Sequence, residues 1–384
     1  MALTNFAALT TEQKTTWARD VWKAARENSF IMQFAGKGEN SMIQRITELT
    51  KSEKGTRAVI TLVADLEGDG IAGDHQLEDN EEEINAYDQV IQIDQLRNAN
   101  RLKGRMADQK SVVNFRNSSK SVLGYWMSDR LDQLAFLTMS GVSYAQKTNG
   151  ALRPVLGGGT QGMNLTELDF AADVTAPSAN RHYRWDGTAK ALVPGDTTAM
   201  VVADTPSYEM LVQMKAAARN NFIKPIKGKN GQEYFHVFMC PLGIAKLKLD
   251  PDYIANLRHA GPRTMDNGLF SGSVVTQDGL IIHDYRHVFN TFGATTGAAI
   301  NAGDAGYKWG ANADVNGQRV IFAGAQACGF ADIGMPEWVE DQFDYGNQGG
   351  ISAGKIMGFK KPVFKSQVTQ TDEDFGLMVV DTAF

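Results

Sequence analysis

The spacing of apolar residues changes period several times along the chain, and each change predicts an element. Residues 10–35 carry Trp17, Val21, Ala24, Ala25 and Phe30 at helical intervals. Thr10 and Gln13 stand at capping-box spacing before them, and Gly36 supplies a stop. The period then drops. "TRAVITLV" (56–63) and "YDQVIQIDQL" (87–96) are rich in β-branched residues and predict two strands. Residues 108–140 return to helical spacing, with Val112, Phe115, Val122, Leu123, Trp126, Met127, Leu131, Leu134 and Leu137 on one stripe and Gly141 after it. At 1.5 Å per residue this predicts a rod of roughly 50 Å, which suits an elongated or plate-like subunit. Its aromatic stripe is expected to be core.

Beyond the rod the pattern loosens. Residues 157–200 are rich in Gly, Thr, Ala and Asp and predict a loop-rich insert. "GGGTQG" within it fits G-x-G-x-x-G, but no βαβ context surrounds it, so a dinucleotide fingerprint is not supported. After Pro206, "SYEMLVQMKAAARNNF" predicts a helix, "EYFHVFMCP" a buried strand and "PLGIAKLKLDP" a short helix. "LIIHDYRHVF" and "RVIFAGAQACGFAD" predict strands. "KIMGFKKPVFKS" and "FGLMVVDTAF" alternate like partners in one strand pair, with "TQTDED" as their turn.

Composition narrows the options. A net charge of −6 offers no basic surplus of the kind that binds phosphates, although Arg97, Arg101, Lys103, Arg105 and Lys110 gather locally. No apolar run reaches the roughly 18–20 residues of a membrane span, and the first twenty residues lack the pattern of a secretion signal. Cys240 and Cys328 read as two free thiols in a reducing compartment. No H-E-x-x-H, C-x-x-C, Walker A or G-x-S-x-G motif occurs. His283 and His287 are four apart on a predicted strand, too far for a shared metal. Ser271 lacks a nucleophile elbow, and the sequon at 117–119 falls inside the predicted rod. No cofactor, metal or catalytic group is expected.

One stretch resists a bland reading. "DLEGDGIAGDHQLEDNEEE" (65–83) joins the two predicted strands. Asp65, Glu67, Asp69 and Gly70 begin like a calcium loop, but the flanks are strand-like and position twelve is Gln76 instead of glutamate. A glycine-broken acidic tip is also the opposite of a dry catalytic pocket. The expectation is a long hairpin with a solvated tip that needs something outside itself to lie against.

The order of elements then acquires a precedent. An arm helix, a long charged hairpin, a spine helix, a mixed α/β unit and late returning strands resemble the tailed-phage major capsid proteins of the Hong Kong 97-type fold. "RAVITLVADLEGDGIAGDHQLEDNEEEINAYDQVIQIDQLRNANR" resembles the loop region of the branch found in N-four-type phages. "NGLFSGSVVTQDGLIIHDYRHV", "DYGNQGGISAGKIMGFKKPVF" and "DFGLMVVDTAF" are similar to its later blocks. The resemblance implies an α+β chain with an N-terminal arm (1–50), an extended loop (51–107) and a spine helix with peripheral domain (108–205). An axial domain (206–335) and C-terminal strands returning to the peripheral domain (336–384) complete it. It implies a non-enzymatic shell subunit that forms pentamers and hexamers, encloses DNA without reading its sequence, and resides in the virion after assembly in the host cytoplasm. A separate scaffolding protein, a portal and cement or decoration proteins are the implied partners, with no membrane.

Subunit contacts are expected from the acids Asp65, Glu67, Asp69, Asp74, Glu78, Asp79, Glu81, Glu82 and Glu83. Their expected mates on a neighbour are Arg97, Arg101, Lys103 and Arg105, or Lys360, Lys361 and Lys365, while Trp17 and Trp22 serve the arm. Two other readings compete. One is an encapsulin-like compartment of the same fold. The other is a metal-dependent hydrolase using the acidic run with His75.

Overall fold

A computed structural model describes residues 11–47, 55, 57–63, 70–79, 81, 86–110, 114–154, 164–228, 231–259, 275–297, 305–366 and 371–384. The first helix, α1 (Thr11–Asn28), ends earlier than its apolar spacing predicts. The cause is Asp132, a buried carboxylate that accepts from Ser29 Oγ at 2.6 Å, Phe30 N at 3.1 Å and Ile31 N at 3.2 Å. It draws backbone donors out of the helical ladder. A 3₁₀ turn (Ile31–Phe34) and two short strands follow, β1 (Ala35–Gly36) and β2 (Ile43–Ile46).

The hairpin forms as expected from β3 (Arg57–Val63) and β4 (Ala86–Gln92), antiparallel with Ile60 opposite Gln89. The second predicted strand is interrupted at Ile93 and continues as β5 (Asp94–Arg101) in a different sheet. The predicted rod is likewise two helices, α2 (Arg105–Lys110) and α3 (Phe115–Ser140). Asn114 caps α3 by accepting from Asn117 N, and Gly141 ends it at φ 64°. Its 26 residues span roughly 39 Å instead of 50 Å. Only the first half is one-sided, and there Val122, expected on the apolar stripe, is instead exposed alongside Tyr125. From Leu134 to Ser140 every residue is buried, because that half packs against both large sheets. Val112 lies outside the described residues.

Residues 164–200 are less loop-like than expected. Three 3₁₀ turns lead into β6 (His182–Asp186) and β7 (Ala191–Pro194). "GGGTQG" lies outside the described residues. The later elements are α4 (Tyr208–Asn220), β8 (Ile226–Lys227), β9 (Glu233–Met239), α5 (Pro241–Leu249) and α6 (Pro251–His259). Then come β10 (Val275–Gln277), β11 (Leu280–Asp284), β12 (Gly317–Ala323), β13 (Cys328–Phe343) and β14 (Gln348–Lys360). The last are β15 (Val363–Lys365), β16 (Asp372–Asp374) and β17 (Leu377–Ala383).

Two sheets carry the molecule. The larger runs β10-β11-β9-β12-β17-β6-β7, with β8 on β9; the other runs β1-β2-β13-β14-β5. One face of the larger sheet meets α3 through Phe238, Ile321 and Val379. Its other face meets α4, α5 and α6 through Val237, Phe322 and Val380. "RVIFAGAQACGFAD" is therefore two strands in two sheets. Gly324 N donates to Gly376 O and Ala325 N to Lys224 O where the chain turns. The expected C-terminal pair also separates. β14 has both edges occupied by β13 and β5, so β17 inserts between β12 and β6. Only the short β15–β16 hairpin lies between them. The expected boundary at 335/336 cuts β13, which runs unbroken past a register shift between Ile333 and Glu337.

Candidate functional site

The outer face of the five-stranded sheet is the surface that the fold leaves unfinished. Its inner face packs on α1 and α3 through Trp338, Ala353, Met357 and Phe359. Near the start of β13 the outer face is covered by the β3–β4 hairpin. Ile60 and Ile91 pack there with Ala331, over Gly329 and Gly358. A side chain on Gly358 would stand 2.1 Å from Gln92 O, so only glycine admits this approach.

Toward the β13–β14 turn the same face is bare. Register places Glu337, Gly354 and Arg97 in one row across β13, β14 and β5, and Asp341, Gly350 and Arg101 in the next such row. Gly354 lets the Arg97 stem lie flat, since a Cβ there would meet Arg97 Cγ at 2.7 Å. Gly350 makes room for Phe343 in the same way, at 2.9 Å. The Arg101 guanidinium then sits 4.3 Å above the Phe343 ring. At the turn, Asp344 and Tyr345 hold φ of 51° and 50°, and Tyr345 is completely exposed at 108%. Arg105 and Met106 follow on α2, both exposed.

The sequence-predicted bases divide sharply. Arg97, Arg101, Lys103 and Arg105 are exposed, and among the described residues none forms an ion pair. Lys365 is also exposed. Lys361 is not available: it is 1% exposed, bonds Asp374 at 2.9 Å and donates to Ala176 O at 3.1 Å. Lys360 is half-buried and committed to Val90 O at 2.8 Å and Asp173 at 3.4 Å. Trp22 is likewise internal, 7% exposed, with the Lys355 ammonium 3.9 Å over its ring. Position on a helix alone does not separate a core tryptophan from a contact one. Trp17 lies on α1, its side chain outside the described residues.

Of the acids, Asp74, Glu78, Asp79 and Glu81 are exposed, and Leu77 among them is 60% exposed. Asp65, Glu67, Asp69, Glu82 and Glu83 lie outside the described residues, as does Ser271. Among the described residues no group of three or more His, Cys, Asp or Glu side chains is gathered as a metal ion would need.

Other titratable groups are spent inside the molecule. Asp381, fully enclosed, bonds Arg319 at 2.8 Å and His182 at 2.6 Å. Burial opposes its charge, but these partners prevail and hold the carboxyl below its ordinary value. Lys355 pairs with Asp332, which also accepts from Arg45 Nε at 2.6 Å. His236 and His283 share a hydrogen bond of 2.9 Å beneath Phe34, whose ring centre lies 4.9 Å and 5.0 Å from theirs. Burial and the neighbouring His283 lower His236 to about 4, and burial lowers His283 to about 4. His287 instead meets Asp129 at 2.9 Å, and that hydrogen bond holds Asp129 below the usual carboxylate range.

Leu77, Phe343, Tyr345 and Met106 were not singled out by sequence. The available signal was the mostly polar run "EWVEDQF" followed by "GG" at 349–350.

A family model described as phage capsid protein matches residues 5–384. The major capsid protein of Pseudomonas phage KPP25 is 56% identical over 382 residues, covering 99% of this chain and 97% of that one. Among solved structures, the capsid of Ralstonia phage GP4 superposes with a TM-score of 0.72 at 23% identity, covering 92% of this chain and 91% of that one. The cyanophage Pam1 capsid does so at 0.66 and 16%, covering 100% and 96%.

Proposed function

The chain belongs to the phage capsid protein family and has the Hong Kong 97-type fold, and we propose that it builds the virion head shell from copies of itself. It is a structural constituent of the virion. In this reading the copies form pentamers and hexamers that close into an icosahedral shell around double-stranded DNA. The observation that carries it is 56% identity along 99% of the chain to a phage major capsid protein. The physical design is consistent with that role. Many modest contacts repeated over a lattice add up to a stable whole, so a subunit needs elements that project beyond its own core. The exposed acidic turn is such an element.

Assembly in the host cytoplasm, a separate scaffolding protein, a portal and cement or decoration proteins belong to the same proposal. A net charge of −6 suits a container that must not grip its genome. The acids of 65–83 act as an assembly element that meets bases on a neighbouring copy. With Lys361 buried and Lys360 committed, the exposed group at 97–105 is the better receptor.

The test is negative-stain microscopy of the protein expressed with and without its neighbouring genes. Closed shells, tubes or rings of five and six are expected, with nucleic acid as the content of shells from infected cells. A uniform small oligomer in both preparations overturns the reading, and enzymes as cargo would turn it toward an encapsulin-like compartment.

A further inference from the structure

The 3₁₀ turn at Ile31–Phe34, with the residues on either side of it, joins α1 to β2 across one face of the larger sheet. Alternation along β9 puts Tyr234, His236 and Phe238 on that face, and along β11 it puts His283 there, with Tyr285 just after it. Phe34 closes over both imidazoles. Phe30 stacks on Tyr285 at 4.2 Å and turns its edge toward His283 at 5.8 Å. His283 in turn stacks on Phe238 at 4.9 Å. The two histidines thus share one hydrogen bond inside a nest of aromatic rings. One imidazole donates and the other accepts, which requires that they are not both charged.

Protons taken up here find no free carboxylate among the described residues to balance them. On α3, Asp132 is already shared by Ser29, the Phe30 and Ile31 amides and Tyr285, while Asp129 holds His287 and Arg286. Asp284 on β11 points to the other face of the sheet. So does Glu233 on β9, which pairs with Arg219 at 3.2 Å. β12 offers Ala323 opposite His236. Beyond Gly36 the joint carries Lys37 and Glu39, both exposed. The phenols of Tyr234 and Tyr285 are the other titratable groups on this face. At the end of α1, Lys23, Arg26 and Glu27 line a cavity of about 760 Å³ together with Phe30, Gln33 and Tyr285. Two cations to one acid make that rim no refuge for an imidazolium, but the cavity leaves open space beside Phe30.

We propose that the His236–His283 pair is an acid-operated latch on the joint Ser29–Gly36. Protonation of both imidazoles breaks their shared bond. The joint then lifts Phe34 and Phe30 toward the adjoining cavity, and water reaches the charged rings. α1 stays held by its packing on α3 and by Trp22 under the Lys355 ammonium, but a loose segment replaces the packed one between it and β2. Burial sets the sign. Each histidine titrates at about 4 beneath the joint and near 6.5 when wet. Between these values the open form holds two more protons than the closed one, so the open-to-closed ratio rises up to about a hundredfold for each pH unit lost. The latch lies within a single chain and operates whether or not copies assemble.

The test uses the unassembled full-length chain carrying either of two nitroxide pairs. Q33C/R219C spans the larger sheet from the joint to α4, and K23C/R219C spans it from α1. All three positions are exposed, and the native Cys240 and Cys328 are buried. Distances are read by pulsed electron resonance from about pH 7.5 to about pH 4. The first pair is expected to gain a second, broader distance on acidification, growing with a two-proton slope, while the second pair keeps its distance. In the H236Q/H283Q background the new distance is expected to be absent. An unaltered first pair down to the lowest pH overturns the latch. So does the same change in H236Q/H283Q, or a loss of both distances together, which reports unfolding. If H236Q/H283Q does not fold, the slope in the wild-type background decides: two protons uphold the latch, and one or none overturns it.

Discussion

β12 and β3 are both seven-residue strands, yet they answer to different partners. Every residue of β12 is buried. Along β3, Ala58, Ile60 and Leu62 are buried while Arg57, Val59 and Thr61 face outward. The first strand is finished by its own chain, with helices on both faces of its sheet. The second is half finished, and after it Asp74, Leu77, Glu78, Asp79 and Glu81 are exposed. The lobe around β12 holds itself together, whereas the β3–β4 ribbon is made to be completed from outside. Their responses to mutation should therefore diverge.

The largest expected effect falls in the lobe. Replacing Asp381 by Ala leaves Arg319 charged and enclosed without its partner. Loss of one member of a buried pair costs roughly 3–5 kcal/mol, read as a lower urea midpoint. Trp22→Ala should cost about the same, roughly 3–5 kcal/mol, because it empties a core site under α1. A neutral result there would return Trp22 to the class of contact residues.

Acid provides an intermediate probe. His236 and His283 titrate near 4 when folded and near 6.5 when free. Between those values the unfolded chain binds more protons, so stability falls as pH drops from about 6.5 toward 4 and the loss is complete below 4. His283→Gln should flatten that slope in urea titrations across the window, and an unchanged slope would exclude the pair as its source. The smallest effect on stability belongs to the ribbon. Reversing Glu78, Asp79 and Glu81 should move unfolding by less than about 0.5 kcal/mol while preventing shell formation in microscopy. A large loss of monomer stability would erase the distinction between the two regions.

The sequence carried the local pattern and lost the partition between sheets. Alternation in "TRAVITLV" found β3 within a residue, because one face of that strand is wet. β12 and β17 gave no such signal, being buried throughout, and continuous apolar sequence does not say which strand lies alongside. The change of sheet at Gly324 depends on bonds to Gly376 and Lys224, distant in the chain. Lys361 and Lys365 look alike in "FKKPVFK", but only the first points at Asp374. Charge clusters were legible; which of their members the fold would consume was not. The glycine row of β14 was visible as letters, and only register showed that Arg97 and Phe343 lie on it.

The position of β17 has a consequence for synthesis. It sits mid-sheet between β6 and β12, yet it follows all the other described strands in the chain. At ~5–20 residues per second, β6 leaves the ribosome roughly ten to forty seconds before the strand that pairs with it. For that interval its inner edge has no native neighbour, and the pairings that close the sheet are distant in sequence and slow to form. Nascent chains of this protein therefore pass through a stage with open strand edges, when crowding on a polysome favours mispairing between copies. Sparser initiation, which spaces nascent chains along the message, should therefore raise the yield of assembly-competent subunits.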